Sequence, residues 1–363
     1  MHRLLCLALV LGLAPVASGV EPAPLPQQFQ RGEPLLNRAP NDELRGSRPV
    51  GEAEVPPPAA PAHDILAVAD IGQPIRAGRV TVWPLQARLP AAGGDFLTLD
   101  EASASGKITV EEVGDGGTVN VLHVSNTSSE TIYLMAGEVL LGGKQDRVVG
   151  RSMLVPAGSR ALEVPVYCVE HGRWQRQTEQ FATSKKLAHS KLRRQVNAES
   201  QGAVWSEVAA ANARLDADNP TDTYRASVKK LESDGDTQRA VATLRAGTAA
   251  VTRVAGVVFA VDGELRGLEW FASEGLYRKF EDKLFGSFVA DATEGAAPPE
   301  GTRTPSREEV ALFITGADQS AARAARPAGD GKVFLKESAT GDGQTVYRAA
   351  EKAPVHKSWL KKP

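Results

Sequence analysis

The sequence predicts an α+β fold. Mainly antiparallel β-sheets, arranged as a sandwich in two β-rich portions, are separated by a helical insert at about residues 183–247 and covered by one amphipathic helix. Three observations carry this. Between Val119 and Trp174, short strand-like segments follow one another at turn-length spacing, broken by the polar clusters Gly142–Arg147 and Cys168–Trp174. Past Trp174 the apolar residues shift to a spacing of three and four, as in Val204, Val208, Ala211 and Leu215. At Val254 the strand pattern returns, and Leu276, Tyr277, Phe280, Leu284 and Phe288 then mark a long amphipathic helix.

In order, Val80–Leu85 and Phe96–Leu99 are strand candidates, and Asp100–Ala102 opens a brief helix before a strand at Ile108–Val113. Gly114-Asp115-Gly116-Gly117 supplies a hairpin turn into the strand Val119–Val124, which the turn formers Ser125–Ser129 end. Thr131–Leu141 resumes as strand, with Gly137 re-aiming the chain before Glu138, since glycine inside a strand marks a bulge or close approach. Asp146–Val155 reads as one strand. Leu162–Cys168 reads as another, on an edge or bulged because Pro165 cannot donate to a ladder. A basic helix at Ser184–Ser200 opens the insert, followed by helices at Ala203–Leu215, Thr223–Leu231 and Thr237–Arg245. Asp262-Gly263 turns the Val254–Phe271 hairpin. Ser306 and Glu309 form a capping box, Gly316–Gly331 is small, polar and mobile, and Lys332–Glu337 pairs with Gln344–Arg348 across Thr340–Gly343.

The domain plan is a leader at 1–19, a proline-rich spacer at 20–63 and a single α+β domain at 64–363. Met1–Gly19 has a short basic start, an apolar core from Leu4 to Leu13 and the small residues Ala17-Ser18-Gly19, the pattern of a secretory signal peptide too short to span a bilayer. The expected location is therefore exported, periplasmic or extracellular, with no stable membrane insertion after cleavage. The spacer is dense in proline and lacks hydrophobic periodicity, so it cannot offset its ordering entropy. Cleavage removes Cys6 and leaves Cys168 as the only cysteine, excluding an intrachain disulfide; its apolar register with Leu162, Val164 and Val166 predicts burial.

The run LLGGKQDRVVGRSMLVPAGSRALEVPVYCVEHGRW resembles the signature of the ADP-ribosylglycohydrolase-and-rhodanese-phosphatase-associated protein family, and GVVFAVDGELRGLEWFASEGLYRKFEDKLFGSFVADA is similar to that family's downstream strand-strand-helix segment. The resemblance covers roughly residues 75 to 360. It implies a neighbourhood in nucleotide or phosphate metabolism and no particular reaction.

Chemistry-bearing residues are densest at the two polar clusters. Lys144, Gln145, Arg147, Arg151, Arg173 and Trp174 are the candidate ligand contacts, and Glu138 and Glu170 the candidate general bases. Cations beside glycine-exposed backbone amides suit an anionic ligand, and Trp174 offers a stacking face. The same residues also fit a purely architectural role, as paired charges at strand ends. Three functions stay open: a binding domain for a phosphate- or nucleotide-like small molecule, a hydrolase acting on a phosphorylated or ADP-ribosyl-like substrate, and a cell-envelope module with a protein partner. Convergence of the candidates on one pocket separates the first two from the third.

Other classes fall away. Lys+Arg number 42 against 44 Asp+Glu, a formal charge of −2, which predicts no nucleic-acid partner. His123, His171 and His189 have no metal-ligand spacing, Gly143-Lys144 lacks the first glycine and the Ser/Thr of a phosphate loop, and no nucleophile elbow occurs. No metal and no cofactor is expected.

Overall fold

The central sheet has nine strands, and the chain enters it twice. In the computed structural model, which describes residues 63–89, 96–114, 119–217, 219–293, 302–325, 329–348 and 354–362, all described residues belong to one unit, Leu36–Pro363. The leader and nearly all of the spacer lie outside the described residues, as do residues 115–117 of the expected hairpin turn.

From the N-terminal side come α1 (Ile65–Val68), β1 (Ala69–Ile71), β2 (Ile75–Ala77) and β3 (Val80–Ala87). From the C-terminal side come β13 (Val254–Val261), β14 (Glu264–Phe271), β15 (Ala322–Ala324), β16 (Gly331–Glu337), β17 (Gly341–Arg348) and β18 (Pro354–Lys361). Their order is β1-β3-β13-β14-β18-β17-β16-β15, with β2 also on β3, and every pairing is antiparallel. All eight residues of β13 are buried, as a strand covered on both faces requires. One face packs against α7 (Glu274–Ala292), where Phe280, Leu284, Phe285 and Phe288 are fully buried and Phe288 stacks on Phe259 at 3.8 Å. The other carries Trp83, Leu85 and Trp270 beneath α8 (Arg307–Gln319). The Ser306–Glu309 capping box of α8 is present.

Between these halves lie β4 (Leu97–Thr98), α2 (Leu99–Ala104), β5 (Ile108–Glu112), β6 (Val121–Asn126), β7 (Ile132–Leu134), β8 (Glu138–Leu141), β9 (Arg147–Val149), β10 (Met153–Val155), β11 (Leu162–Cys168) and β12 (Ala182–Leu187). They form a six-stranded sheet, β12-β8-β9-β11-β6-β5, and a three-stranded one, β10-β7-β4. Only β4 and β7 pair in parallel among the named strands. The insert then packs α3 (Ser190–Asn197), α4 (Gln201–Arg214) and α5 (Tyr224–Ser233) on β9 and β11 through Val148, Tyr167, Leu192, Val204 and Tyr224, while α6 (Gly235–Ala249) packs on α7 and β2 through Leu244, Val241 and Ile75. No helix among the described residues is long and apolar enough to cross a membrane.

The α+β class and antiparallel sheets agree with the sequence expectation; several details differ. The strand expected at 146–155 divides at Gly150–Ser152 into β9 and β10, which join different sheets. The division is fixed by two long-range bonds: the Gly150 N–H donates to the Pro165 carbonyl at 2.8 Å, and the Ser152 N–H to the Gln344 side chain at 2.9 Å. β11 is internal, not an edge. Pro165 is its last residue on β6, and from Val166 onward it pairs with β9, so the missing N–H falls where the partner changes. The expected basic helix from Ser184 begins only at Ser190, because Ala182–Leu187 is claimed by β8, with a register shift between Thr183 and Leu187. Gly316–Gly331, expected to be loop, contains the end of α8 and β15.

Candidate functional site

The two polar clusters do meet, and they close on each other. Gly142 and Gly143, with φ of 128° and 53°, turn the chain from β8 toward β9. A side chain on Gly142 would strike Thr178, and one on Gly143 would strike Phe181. The turn is fastened by Arg173, whose guanidinium donates to the carbonyls of Gly143 (2.8 Å), Gln175 (2.9 Å) and Gly142 (3.3 Å), to Glu170 from Nε (2.9 Å) and Nη2 (2.5 Å), and to Asp146 (3.4 Å). Asp146 also accepts from Gly142 N–H at 2.9 Å and from both ends of the Arg225 fork, at 2.9 and 2.6 Å. Glu170 accepts further from the Asp146 N–H and the Thr221 hydroxyl. Burial pushes the Glu170 carboxyl up, but Arg173, the Asp146 N–H and Thr221 together bring its pKa below the ordinary carboxylate range. A carboxylate so held is a poor general base.

The other candidates are distributed around this knot. Gln145 is buried and donates weakly to the His171 carbonyl at 3.4 Å. Arg147 is buried beneath the turn, donating to the Gln145 carbonyl at 2.8 Å and standing 3.8 Å from Glu112. Lys144 also approaches Glu112 (3.8 Å), with its ammonium 5.6 Å from the centre of the Trp174 ring. Arg151 points elsewhere and pairs with Glu199 at 3.1 Å.

Glu138 is separate from all of these. The Gly137 turn, with φ of 97°, places it at the start of β8, fully buried, bonded to the Met135 N–H at 2.8 Å and to Lys283 of α7 at 2.5 Å. Asp100 of α2 completes the cluster, 2.7 Å from Lys283. Burial works against the Lys283 ammonium, yet the Glu138 and Asp100 carboxylates overcome it and raise its pKa.

The structure also contains a buried polar relay that the sequence did not announce. Tyr133 Oη lies 2.7 Å from His356 Nδ1, His356 Nε2 lies 2.8 Å from Glu269, and Arg193 donates to Glu269 at 2.6 Å. All four side chains are buried. The relay links β7, β18, β14 and α3, so it ties the three-stranded sheet, the nine-stranded sheet and the insert together, out of reach of a reactant.

The open cavity lies elsewhere. A cleft of about 250 Å³ runs between β12, α5, α6 and α7. Lys185, Lys186, Arg245 and Lys283 line it against the carboxylates Glu232 and Asp282, and Leu187, Val228, Leu231 and Val241 give it apolar walls. Lys186 pairs with Glu232 at 3.0 Å and Arg245 with Asp282 at 3.3 Å. Lys185 is exposed, has φ of 58° in the irregular stretch of β12, and pairs with no carboxylate among the described residues. None of the eight side chains singled out from the sequence lines this cleft; Glu138 reaches it only through Lys283. Two signals were present in the sequence: a lysine at 283, three residues after Phe280 on the apolar stripe of α7, and a glycine at 286 within that helix.

No curated protein and no solved structure is similar enough to this chain to count as a match. One family model does match, over residues 69–360, which takes in all three sheets, the insert and the cleft, and on that match the chain belongs to the ARG and Rhodanese-Phosphatase-superfamily-associated Protein domain family.

Proposed function

We propose that the protein is an exported ligand-binding domain that takes a small anionic molecule with an apolar body in the cleft between β12 and α5–α7. The observation that carries this reading is Lys185, an exposed cation on the cleft that pairs with no carboxylate among the described residues, while the other three lining cations are paired. Lys185 stands among them in a left-handed backbone conformation that non-glycine residues rarely adopt, the kind of local strain that clusters at ligand sites. At about 250 Å³ the cleft holds the volume of roughly eight water molecules, below the ~300–1,000 Å³ of sites for drug-sized ligands. A short carboxylate or phosphate monoester fits that size better than a dinucleotide. Binding is favoured over hydrolysis because both carboxylates of the cleft are already paired with cations, and Glu170 is committed to Arg173. Export rests on the leader-like Met1–Gly19.

The test is a thermal-shift screen of the protein against short aliphatic and aromatic carboxylates and phosphate monoesters, with nucleotides and ADP-ribose alongside. Lys185→Ala and Gly286→Leu serve as cleft variants. A ligand at 100 times its Kd adds ~2.7 kcal/mol. A shift abolished by Gly286→Leu and weakened by Lys185→Ala is expected. A shift that survives both, or no shift with any small anion, overturns the proposal, and turnover of the bound compound would make the protein an enzyme.

A further inference from the structure

The Gly142–Arg147 turn has the construction of an anion receptor, and a side chain of the same protein occupies it. Glu112, the last residue of β5, sends its carboxylate under the turn, where Oε1 accepts the Lys144 N–H at 2.8 Å. Gly143 permits the approach, since a Cβ there would lie 2.9 Å from that oxygen. Three cations surround the carboxylate: Lys144 and Arg147 at 3.8 Å and Arg176 at 3.9 Å. These separations are ion-pair contacts too long for hydrogen bonds. Glu112 Oε2 and Arg147 Nε are both buried without a hydrogen-bond partner. Among the described residues, this one carboxylate is shared by Arg147 and Arg176 and still leaves Arg147 Nε without an acceptor. Arg176 has a side chain 38% exposed, and Trp174 lies beside Lys144.

We propose that this turn is a second anion-binding site, specific for a tetrahedral oxyanion of the phosphate-monoester class, and that Glu112 is its displaceable internal occupant. A phosphate group has the extra acceptor oxygens that Arg147 Nε lacks, and it carries more negative charge than the single carboxylate it displaces. Arg176, the most exposed of the three cations, closes over the incoming group, and the Trp174 ring offers a face to whatever the phosphate is attached to. Lys144, Arg147 and Trp174 thus act as the sequence pattern suggested, once Glu112 has left. The site is distinct from the cleft, so the two readings stand or fall separately.

The experiment is a calorimetric titration of the intact protein with inorganic phosphate at constant ionic strength, set against chloride, for wild type, Glu112→Gln, Glu112→Ala and Glu112→Ala/Arg176→Ala. Removing the internal competitor is expected to tighten phosphate binding at least tenfold in Glu112→Ala, with a smaller gain in Glu112→Gln, and the Arg176→Ala change is expected to reverse it. Gly286→Leu, which blocks the cleft, should leave this binding unchanged. Equal affinity in wild type and the Glu112 variants overturns the proposal, as does a gain that Arg176→Ala does not touch. Should Glu112→Ala fail to fold, recovery of its fold by phosphate but not chloride supports the site, and a folded Glu112→Gln with no gain refutes it.

Discussion

Arg173→Ala separates an architectural from a ligand-contacting role for the signature stretch. The side chain is buried and makes six donor contacts, three to carbonyls of residues 142, 143 and 175 and three to the Glu170 and Asp146 carboxylates. Truncation strands buried acceptors. Asp146 keeps Arg225 and Glu170 keeps Thr221, so the loss is partial, but breaking a buried ion pair by removing one partner typically costs about 3–5 kcal/mol. Spread over roughly 290 residues at ~2.1 cal/mol/K each, the unfolding entropy is about 0.6 kcal/mol/K, which turns that loss into a fall in Tm of about 5–8 °C. Differential scanning calorimetry at pH 7 reads it directly. The pH dependence gives a second handle. Glu170 is held below its unfolded pKa, so its contribution is present above about pH 4.3 and is lost as pH falls through the folded value. The variant, lacking the guanidinium, should show a weaker loss over that acid range. A Tm within about 1 °C of wild type would mean that Arg173 does not hold the turn, and the case for a closed knot would fail.

Three further outcomes follow from buried groups and from the cleft. Cys168 is fully buried, and burial pushes its thiol pKa up, so a disulfide reagent at pH 8 should leave it unmodified until denaturant is added; fast labelling of the native protein would contradict this. His356 is buried and its pKa is lowered by burial, against the pull of Glu269, so its imidazole should titrate in NMR spectra below the ordinary histidine value of about 6.5. The unfolded chain then binds the extra proton, and this contribution to stability, present above about pH 6.5, should decline as pH falls below it; a His356 resonance titrating at 6.5 or above would refute the assignment. Gly286 sits mid-helix on the cleft with nothing within 4 Å of an added Cβ, so Gly286→Ala should raise stability by about 0.5–1 kcal/mol in chemical denaturation, and a loss would show that the space is needed by the fold itself.

Local chemistry made much of the fold legible. Asp262 and Gly263, with φ of 51° and 76°, turn the β13–β14 hairpin where an Asp-Gly pair predicts it, and the spacing of Leu276, Tyr277, Phe280, Leu284 and Phe288 gives the buried stripe of α7. What escaped notice was held by distant partners. β18 carries His356, Lys357 and Ser358 at its centre and reads as polar, yet it is a buried inner strand because Glu269 takes His356 and Ser358, and Asp318 takes Lys357. The Ser184–Leu187 run is rich in lysine and continues toward a helix, but pairing with β8 overrides the local preference. The two polar clusters were legible as neighbours. Their internal closure depended on Arg225, Thr221 and Glu112, three residues outside both clusters.

This arrangement gives the signature stretch an indirect part in the cleft. Glu138 belongs to the same strand that leads into the Gly142–Arg147 turn, and it has no solvent exposure, so it cannot meet a ligand. Its partner Lys283 does face the cleft, between Glu138 and Asp100. With two carboxylates behind it, the ammonium stays protonated and its position is fixed, and an anion entering the cleft meets a charge that needs no reorganisation. The Gly137 turn sets where Glu138 stands; Glu138, with Asp100, sets Lys283; and β12 carries Lys185 and Lys186 to the same cleft. Glu138, alone of the eight candidates, thus lies one side chain behind the cleft in which binding is proposed.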